Sequence, residues 1–203
     1  MQVTRVWLVR HAPVDAQYLY GQMDVDADVS DVAAFKWLSS QLPPQFRVIS
    51  SDLIRCRQTM EALKPYGHEI EGYSITDQLR EQSFGDWEGL TYRQIEEKYD
   101  DLYIRFWENP VENAPPGGES FSEVVDRTSQ YFNSILEEIK SEDVVFFVHA
   151  GTIRSVLAHV LALEPVKSQL FDISPLSVSR ITLYKQDDTL SWKLDWVNRV
   201  SSV

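Results

Sequence analysis

The chain is poor in cysteine, in basic charge and in long apolar runs. Cys56 is the one cysteine in 203 residues, so no disulfide can form within the chain, which fits a reducing compartment. Nineteen Lys and Arg stand against 31 Asp and Glu, a formal net charge of −12. A surface this acidic repels nucleic acid and anionic membranes, so neither is expected as a partner. Any anionic ligand must be captured by a local basic pocket. No apolar run approaches the roughly 18 residues of a membrane span. The first residues also lack the basic, then apolar, then small-residue layout of a secretory signal. A cytoplasmic location is therefore the expectation. There is no Walker-type glycine loop and no cysteine-histidine cluster with zinc spacing, so neither a cofactor nor a metal is expected.

What is present is ordinary core material: 43% hydrophobic and 25% charged residues, the profile of a soluble globular protein. With no internal repeat and no low-complexity linker, residues 1–203 read as one domain. Three apolar runs lack polar alternation: Val6 to Val9, Arg47 to Ile49 with Phe46 before it, and Val144 to Val148. Such runs suit central strands of a parallel sheet, covered on both faces. Between them lie helical patterns. Val32, Phe35 and Leu38 recur within Val29 to Leu42. Phe121, Val124, Val125, Thr128, Phe132, Ile135 and Ile139 form one face of a longer segment. Ser120 and Glu123 have capping-box spacing at its start. Thr152 to Leu163 reads as a third apolar helix, and residues 177–197 read as two strands around an Asp-Asp turn. The expected class is α/β, a three-layer α/β/α fold with a mainly parallel sheet and an antiparallel edge. "ENPVENAPPGGES", residues 108–120, reads as a long surface loop.

Each apolar run ends in polar residues of chemical interest. The first ends at Arg10-His11, the second at Ser50-Ser51-Asp52 before a helix with Arg55 and Arg57, the third at His149-Ala150-Gly151. Ligands of open parallel sheets bind outside the carboxyl ends of the strands, so these tips should converge on one crevice. Arg55 and Arg57 face about 200° apart on a helix, and only one should point into it. The N-terminus of that helix should also favour an anion. Arginines match phosphate oxygens. A neutral imidazole is a competent nucleophile toward phosphorus, and a second histidine can donate to the oxygens of the transferring group. The constellation points to metal-free phosphoryl transfer through a phosphohistidine, with a carboxylic acid nearby to protonate the leaving alkoxide. "LREQSFGDWEGL", residues 79–90, offers Glu81, Asp86 and Glu88, and spacing does not choose among them.

Four segments in order resemble the histidine phosphatase superfamily, the phosphoglycerate mutase-like fold. "LVRHA" is similar to its nucleophile motif and "SSDLIRCRQT" to its Ser-x-Leu-x-Arg-x-x-Gln-Thr motif. "LREQSFGDWEG" is similar to its Leu-x-Glu-x-x-x-Gly-x-Trp-Glu-Gly segment, and "VVFFVHAGTIRSVL" to its second-histidine motif. The resemblance implies that His11 is the phosphorylated nucleophile and that Arg10, Arg55 and His149 hold the phosphoryl oxygens. It makes Glu81 the general acid that later activates water, and it sets Arg57 outside the pocket. Catalytic His11, Glu81 and His149, with phosphate-binding Arg10 and Arg55, are thus the expected site. The implied partner is a small-molecule phosphate ester, with oligomeric state, homodimer included, left open.

"RHAP", "YGQMDV" at 20–25 and "PPGGESF" at 115–121 look most like the α-ribazole phosphatase branch, which dephosphorylates a cobalamin-precursor nucleotide. A broad-specificity phosphatase, a mutase of the same fold and a silent phosphate-binding domain are the alternatives. The chain departs from the family pattern in Ala12 and Ala150 where glycine is frequent, and in Pro13-Val14 where Glu-Thr is common. It also lacks the Asn that often contacts phosphate after the nucleophile. His68 and His159 read as structural or surface residues, Cys56 as a small packed residue, and Phe84 and Trp87 as packing. Trp107 and the Gly-Gly-Glu-Ser loop are as suited to capping a substrate as to being ordinary surface.

Overall fold

The structure, a computed structural model, describes residues 1–201 except 71, 140 and 188. In chain order it runs β1 (Gln2–Arg10), α1 (Val32–Gln41), β2 (Arg47–Ser51), α2 (Ile54–Glu61), β3 (Ser74–Thr76), α3 (Tyr92–Glu108), α4 (Phe121–Glu138), β4 (Asp143–Val148), α5 (Ala150–Val160), α6 (Pro165–Ser168), β5 (Val178–Gln186) and β6 (Thr189–Arg199). The sheet order is β3-β2-β4-β1-β5-β6. β1, β2, β3 and β4 are mutually parallel, and β5 and β6 add an antiparallel edge. The expected class is therefore correct.

Side chains alternate across a strand, and here both faces are covered. Val6, Leu8, Val144, Phe146 and Val148 pack with Phe132 and Ile135 of α4 and Ile153 and Leu157 of α5. Trp7, Val9, Val145 and Phe147 pack on the other side with Phe35 and Leu38 of α1 and Cys56 and Met60 of α2. That double burial is why the central runs read as unbroken apolar stretches.

Several boundaries differ from the sequence reading. α1 begins at Val32, not Val29, because the Asp31 side chain accepts from the Ala34 amide and caps it there. Val32, read as core-facing, is exposed. α5 begins at Ala150, two residues earlier than expected, with His149 as its N-cap. The hairpin strands are present and Asp187 has φ 53. Asp188, the second residue of the expected Asp-Asp turn, lies outside the described residues. Helix α3 was not anticipated at all. Thr91 and Gln94 form a capping box at its start, and Ile95, Tyr99, Tyr103 and Phe106 make a stripe packed on Trp87. The capping-box spacing and that stripe were legible signals. Strand β3 is three residues at the sheet edge, too short to carry a periodicity.

The register places the site. Arg10 pairs with Val148, Ser50 with Phe147 and Ser51 with Thr76. The carboxyl ends of all four parallel strands therefore lie at one level.

Candidate active site

At the end of β1, the His11 amide donates to the Val148 carbonyl (3.0 Å). The His11 Nδ1 lies 2.7 Å from the carbonyl oxygen of Ala12. A carbonyl only accepts, so Nδ1 carries the proton and Nε2 keeps its lone pair. Ala12 in turn donates its amide to Thr59 Oγ1 (2.8 Å). Neither Ala12 nor Ala150 has a positive φ, so glycine is not required at either place. Burial, Arg55 and Arg10 together push the His11 imidazole down to about 3, against the one hydrogen bond to Ala12 that raises it.

His149 is fully buried, with its ring centroid 5.2 Å from that of His11. Arg55 Nε donates to its Nδ1 (3.2 Å), so the proton is on Nε2, which lies 2.9 Å from Ser51 Oγ. Burial first, then Arg55, His11 and Arg10, hold this imidazole well below its usual value.

Arg55 has no solvent exposure. Besides His149, it donates to the carbonyls of Met23 (2.8 Å) and Gly21 (2.6 Å), and its guanidinium lies over the Tyr20 ring. Arg10 donates to the Ile173 carbonyl (2.5 Å), and its buried Nε has no partner among the described residues. Among the described residues, no acceptor of either arginine is a carboxylate. Among the described residues, Arg57 makes no hydrogen bond to the site, and its buried Nε has no partner.

Of the three carboxylates in 79–90, Glu81 is the one that faces the cavity beside Arg10. Its Oε1 accepts from the Gln82 amide (3.0 Å) and its Oε2 from the Gly151 amide in the first turn of α5 (3.2 Å). Glu88 instead braces the loop, accepting from the amides of Gln22 and Phe84, and Asp86 is exposed. The N-terminus of α2 does draw an anion, and at its first amide that anion comes from the chain itself. The Asp24 carboxylate already accepts from the Ile54 amide (2.5 Å).

The structure also recruits residues that the sequence reading did not single out. Arg127 of α4 donates to the Glu81 carbonyl (3.1 Å) and pairs with Glu119 (2.8 Å). Glu119 accepts from the Ser83 amide (2.9 Å), and Gln22 donates to the Glu81 carbonyl (3.1 Å). The Gly-Gly-Glu-Ser turn thus sits behind the Glu81 segment instead of capping a ligand. At Gly85 and Gly118 the two segments touch so closely that a β-carbon would strike the opposing backbone. Cys56 is buried beside His149, and burial pushes its thiol well above the usual range. His68 bonds Ser39 (2.9 Å) and His159 bonds Asn133 (2.8 Å), both away from the site. Among the described residues, no group of three or more His, Cys, Asp and Glu is placed to hold a metal ion, and no helix is long and apolar enough to cross a membrane.

A family model for the histidine phosphatase superfamily, branch 1, matches residues 6–195. The chain belongs to the histidine phosphatase superfamily. Among similar proteins, a glucosyl-3-phosphoglycerate phosphatase of Mycolicibacterium vanbaalenii is 27% identical over 227 aligned positions, covering 100% of this chain and 98% of the relative. A 2,3-bisphosphoglycerate-dependent phosphoglycerate mutase 2 of Gloeobacter violaceus is 29% identical over 127 residues, but the match spans 61% of this chain and only 58% of the relative. The solved α-ribazole phosphatase of Shigella flexneri superposes with a TM-score of 0.79 over 96% of each chain at 18% identity, a likeness of fold.

Proposed function

We propose that the protein is a phosphomonoesterase acting on a small phosphorylated metabolite through a phosphohistidine at His11. The observation that carries this reading is the pair of arginines without counter-ions. Arg55 is wholly buried and Arg10 partly so, and neither meets a carboxylate among the described residues. A buried cation without an opposite charge is costly, and a phosphoryl group between them supplies one.

The His11 Nε2 lone pair attacks phosphorus, an N–P bond forms, and the P–O bond to the alcohol breaks. Glu81 gives its proton to the departing oxygen. Water then attacks the phosphohistidine, losing a proton to Glu81. The N–P bond breaks, inorganic phosphate leaves, and Nε2 recovers its lone pair. Arg10, Arg55 and His149 hold the phosphoryl oxygens as charge moves onto them, the Nε2–H of His149 turning from Ser51 Oγ to the arriving oxygen. No step calls for a metal, so turnover is expected to persist in excess chelator.

α-Ribazole 5'-phosphate is the named candidate substrate, supported by the "RHAP", "YGQMDV" and "PPGGESF" segments. A broad-specificity phosphatase uses the same chemistry. The partial likeness to a mutase favours a second reading, in which the phosphoryl group returns to the bound product. A cytoplasmic location fits the lone, unpaired Cys56. The test is to incubate the protein with a panel of phosphate esters, α-ribazole phosphate, sugar phosphates, nucleotides and phosphoglycerates among them. Released phosphate and acid-labile phosphoenzyme are then measured. His11→Ala is expected to lose both together. Full activity of that variant overturns the assignment, and isomerised phosphoglycerate without phosphate release favours the mutase.

A further inference from the structure

A cavity of about 510 Å³ opens beside Arg10 and Glu81. Its lining carries three charged side chains, Arg10, Glu81 and Arg154. Arg154 lies close enough to the other two for their charges to act on it, and its Nε is committed to the Phe171 carbonyl (3.0 Å). All three charges thus cluster at one end. Much of the remaining wall is aromatic, built by Tyr18 and Tyr20 after β1 and by Tyr92, Tyr103, Phe106 and Trp107 of α3, with three glutamines, Gln17, Gln82 and Gln169, as neutral polar groups. Trp107 packs against Phe106, Tyr103 and Tyr92 with centroids 5.1, 6.2 and 6.3 Å apart. Yet Trp107 remains 50% exposed and Tyr92 53% exposed. Two large rings left half in water beside a cavity are an apolar surface without a partner.

We infer that this cavity receives the alcohol part of the substrate, and that the alcohol it selects is bulky, ring-bearing and uncharged. The inference rests on the phosphoryl-transfer reading, because it is the ester oxygen at Glu81 that places the alcohol against this wall. Flat rings gain from edge and face contact with such a wall, and tyrosine hydroxyls serve ring heteroatoms or hydroxyls without demanding charge. A carboxylate on the alcohol finds no cation along the aromatic wall, and its desolvation there is uncompensated. Among the described residues, Arg154 is the lining cation not assigned to the phosphoryl group, and the charge comparison below is aimed at a carboxylate met there.

The test is kcat/KM for two matched pairs of esters. 2-Naphthyl and phenyl phosphate differ in ring area but little in the acidity of the leaving alcohol. 2-Phenylethyl phosphate and O-phosphoserine are both esters of primary alcohols, one apolar and one charged. The naphthyl ester is expected to exceed the phenyl ester by about tenfold, the size given by partial burial of a second ring. The phenylethyl ester is expected to exceed phosphoserine by at least as much. Trp107→Ala and Tyr92→Ala should each bring the naphthyl-to-phenyl ratio to within about twofold of one, with unchanged circular dichroism. A wild-type ratio near one, ratios unmoved in both variants, or preference for phosphoserine overturns the inference while leaving the phosphatase reading in place. If no ester is hydrolysed, the phosphatase reading falls. Calorimetric affinities for the two aryl phosphates then decide the cavity by the same tenfold criterion.

Discussion

The Nδ1 of His11 donates to the carbonyl of its own neighbour, Ala12, across 2.7 Å. That local bond sets the tautomer that presents a free Nε2. The same packing buries the ring beside Arg10 and Arg55, and its proton affinity falls to about 3. The site therefore holds a neutral imidazole with a free Nε2 lone pair throughout the physiological range.

This has a consequence for stability. An unfolded histidine titrates near 6.5. Between that value and about 3 the unfolded chain binds a proton that the folded His11 refuses. Stability therefore rises with pH across this window and is lost on acidification through it. At pH 5 the loss is about 2 kcal/mol for this residue, and His149, depressed in the same direction, adds to it. The depressed carboxylates Asp52, Glu119 and Asp195 weaken only at lower pH, since free carboxyls titrate near 4. Urea unfolding at pH 7 and pH 5 should show the protein less stable at pH 5. His11→Asn should shrink that difference by about 2 kcal/mol, and an unchanged difference would show that His11 is already protonated when folded.

Glu81→Gln removes the proposed proton donor but keeps the side-chain volume. The loss in kcat/KM should be on the order of 10² to 10⁴-fold for alkyl phosphates. For p-nitrophenyl phosphate, whose leaving group needs no proton, it should be far smaller. Equal losses on both ester types would remove Glu81 from the role of acid.

Arg127 never reaches the cavity, but it holds the Glu81 and Gln78 carbonyls and pairs with Glu119. Arg127→Ala should shift the Glu81 segment and give a weaker version of the Glu81→Gln pattern, with alkyl esters hurt about tenfold and p-nitrophenyl phosphate little. A uniform loss on all esters would mark Arg127 as structural only.

Much of this molecule is legible before any coordinates. The central strands announce themselves because burial on both faces strips them of polar residues. Arg10, His11 and His149 are visible because each interrupts such a run at its end. Arg127 is not visible, because a guanidinium on α4 that turns under a loop 46 residues away in sequence looks like any surface arginine. Gln22 is hidden in the same way, its value lying in a carbonyl it meets only after folding. The anion preference of the α2 N-terminus is legible, but its occupant at the Ile54 amide is not, because Asp24 reaches it from 30 residues upstream. Helix α3 was legible from Thr91, Gln94 and its aromatic stripe. Its place in the site was not, since only tertiary packing turns those rings toward the cavity.

Cys56 lies 3.4 Å from His149 Nε2, which invites suspicion of reactivity. Burial argues otherwise: the thiolate is the reactive form, and here the thiol is pushed far up. Iodoacetamide should leave the native protein unmodified at pH 7.5 by mass spectrometry and should label it fully in denaturant. Fast native labelling would show that the pocket opens around His149.

Gly151 gives the sharpest test of how Glu81 is held. It lies in the first turn of α5 and its φ is not positive, so alanine suits the backbone and should favour the helix by roughly 0.5–1 kcal/mol. A β-carbon there, however, falls on the Glu81 carboxylate, the far end of a flexible side chain that can swing away without disturbing the core. Gly151→Ala should therefore keep or raise the unfolding midpoint while lowering kcat/KM on alkyl phosphates at least tenfold. Residues acting through one contact are not additive, so Gly151→Ala combined with Glu81→Gln should be no slower than Glu81→Gln alone. A double variant slowed by the product of the two single losses would mean that Gly151 acts on something other than the Glu81 carboxylate.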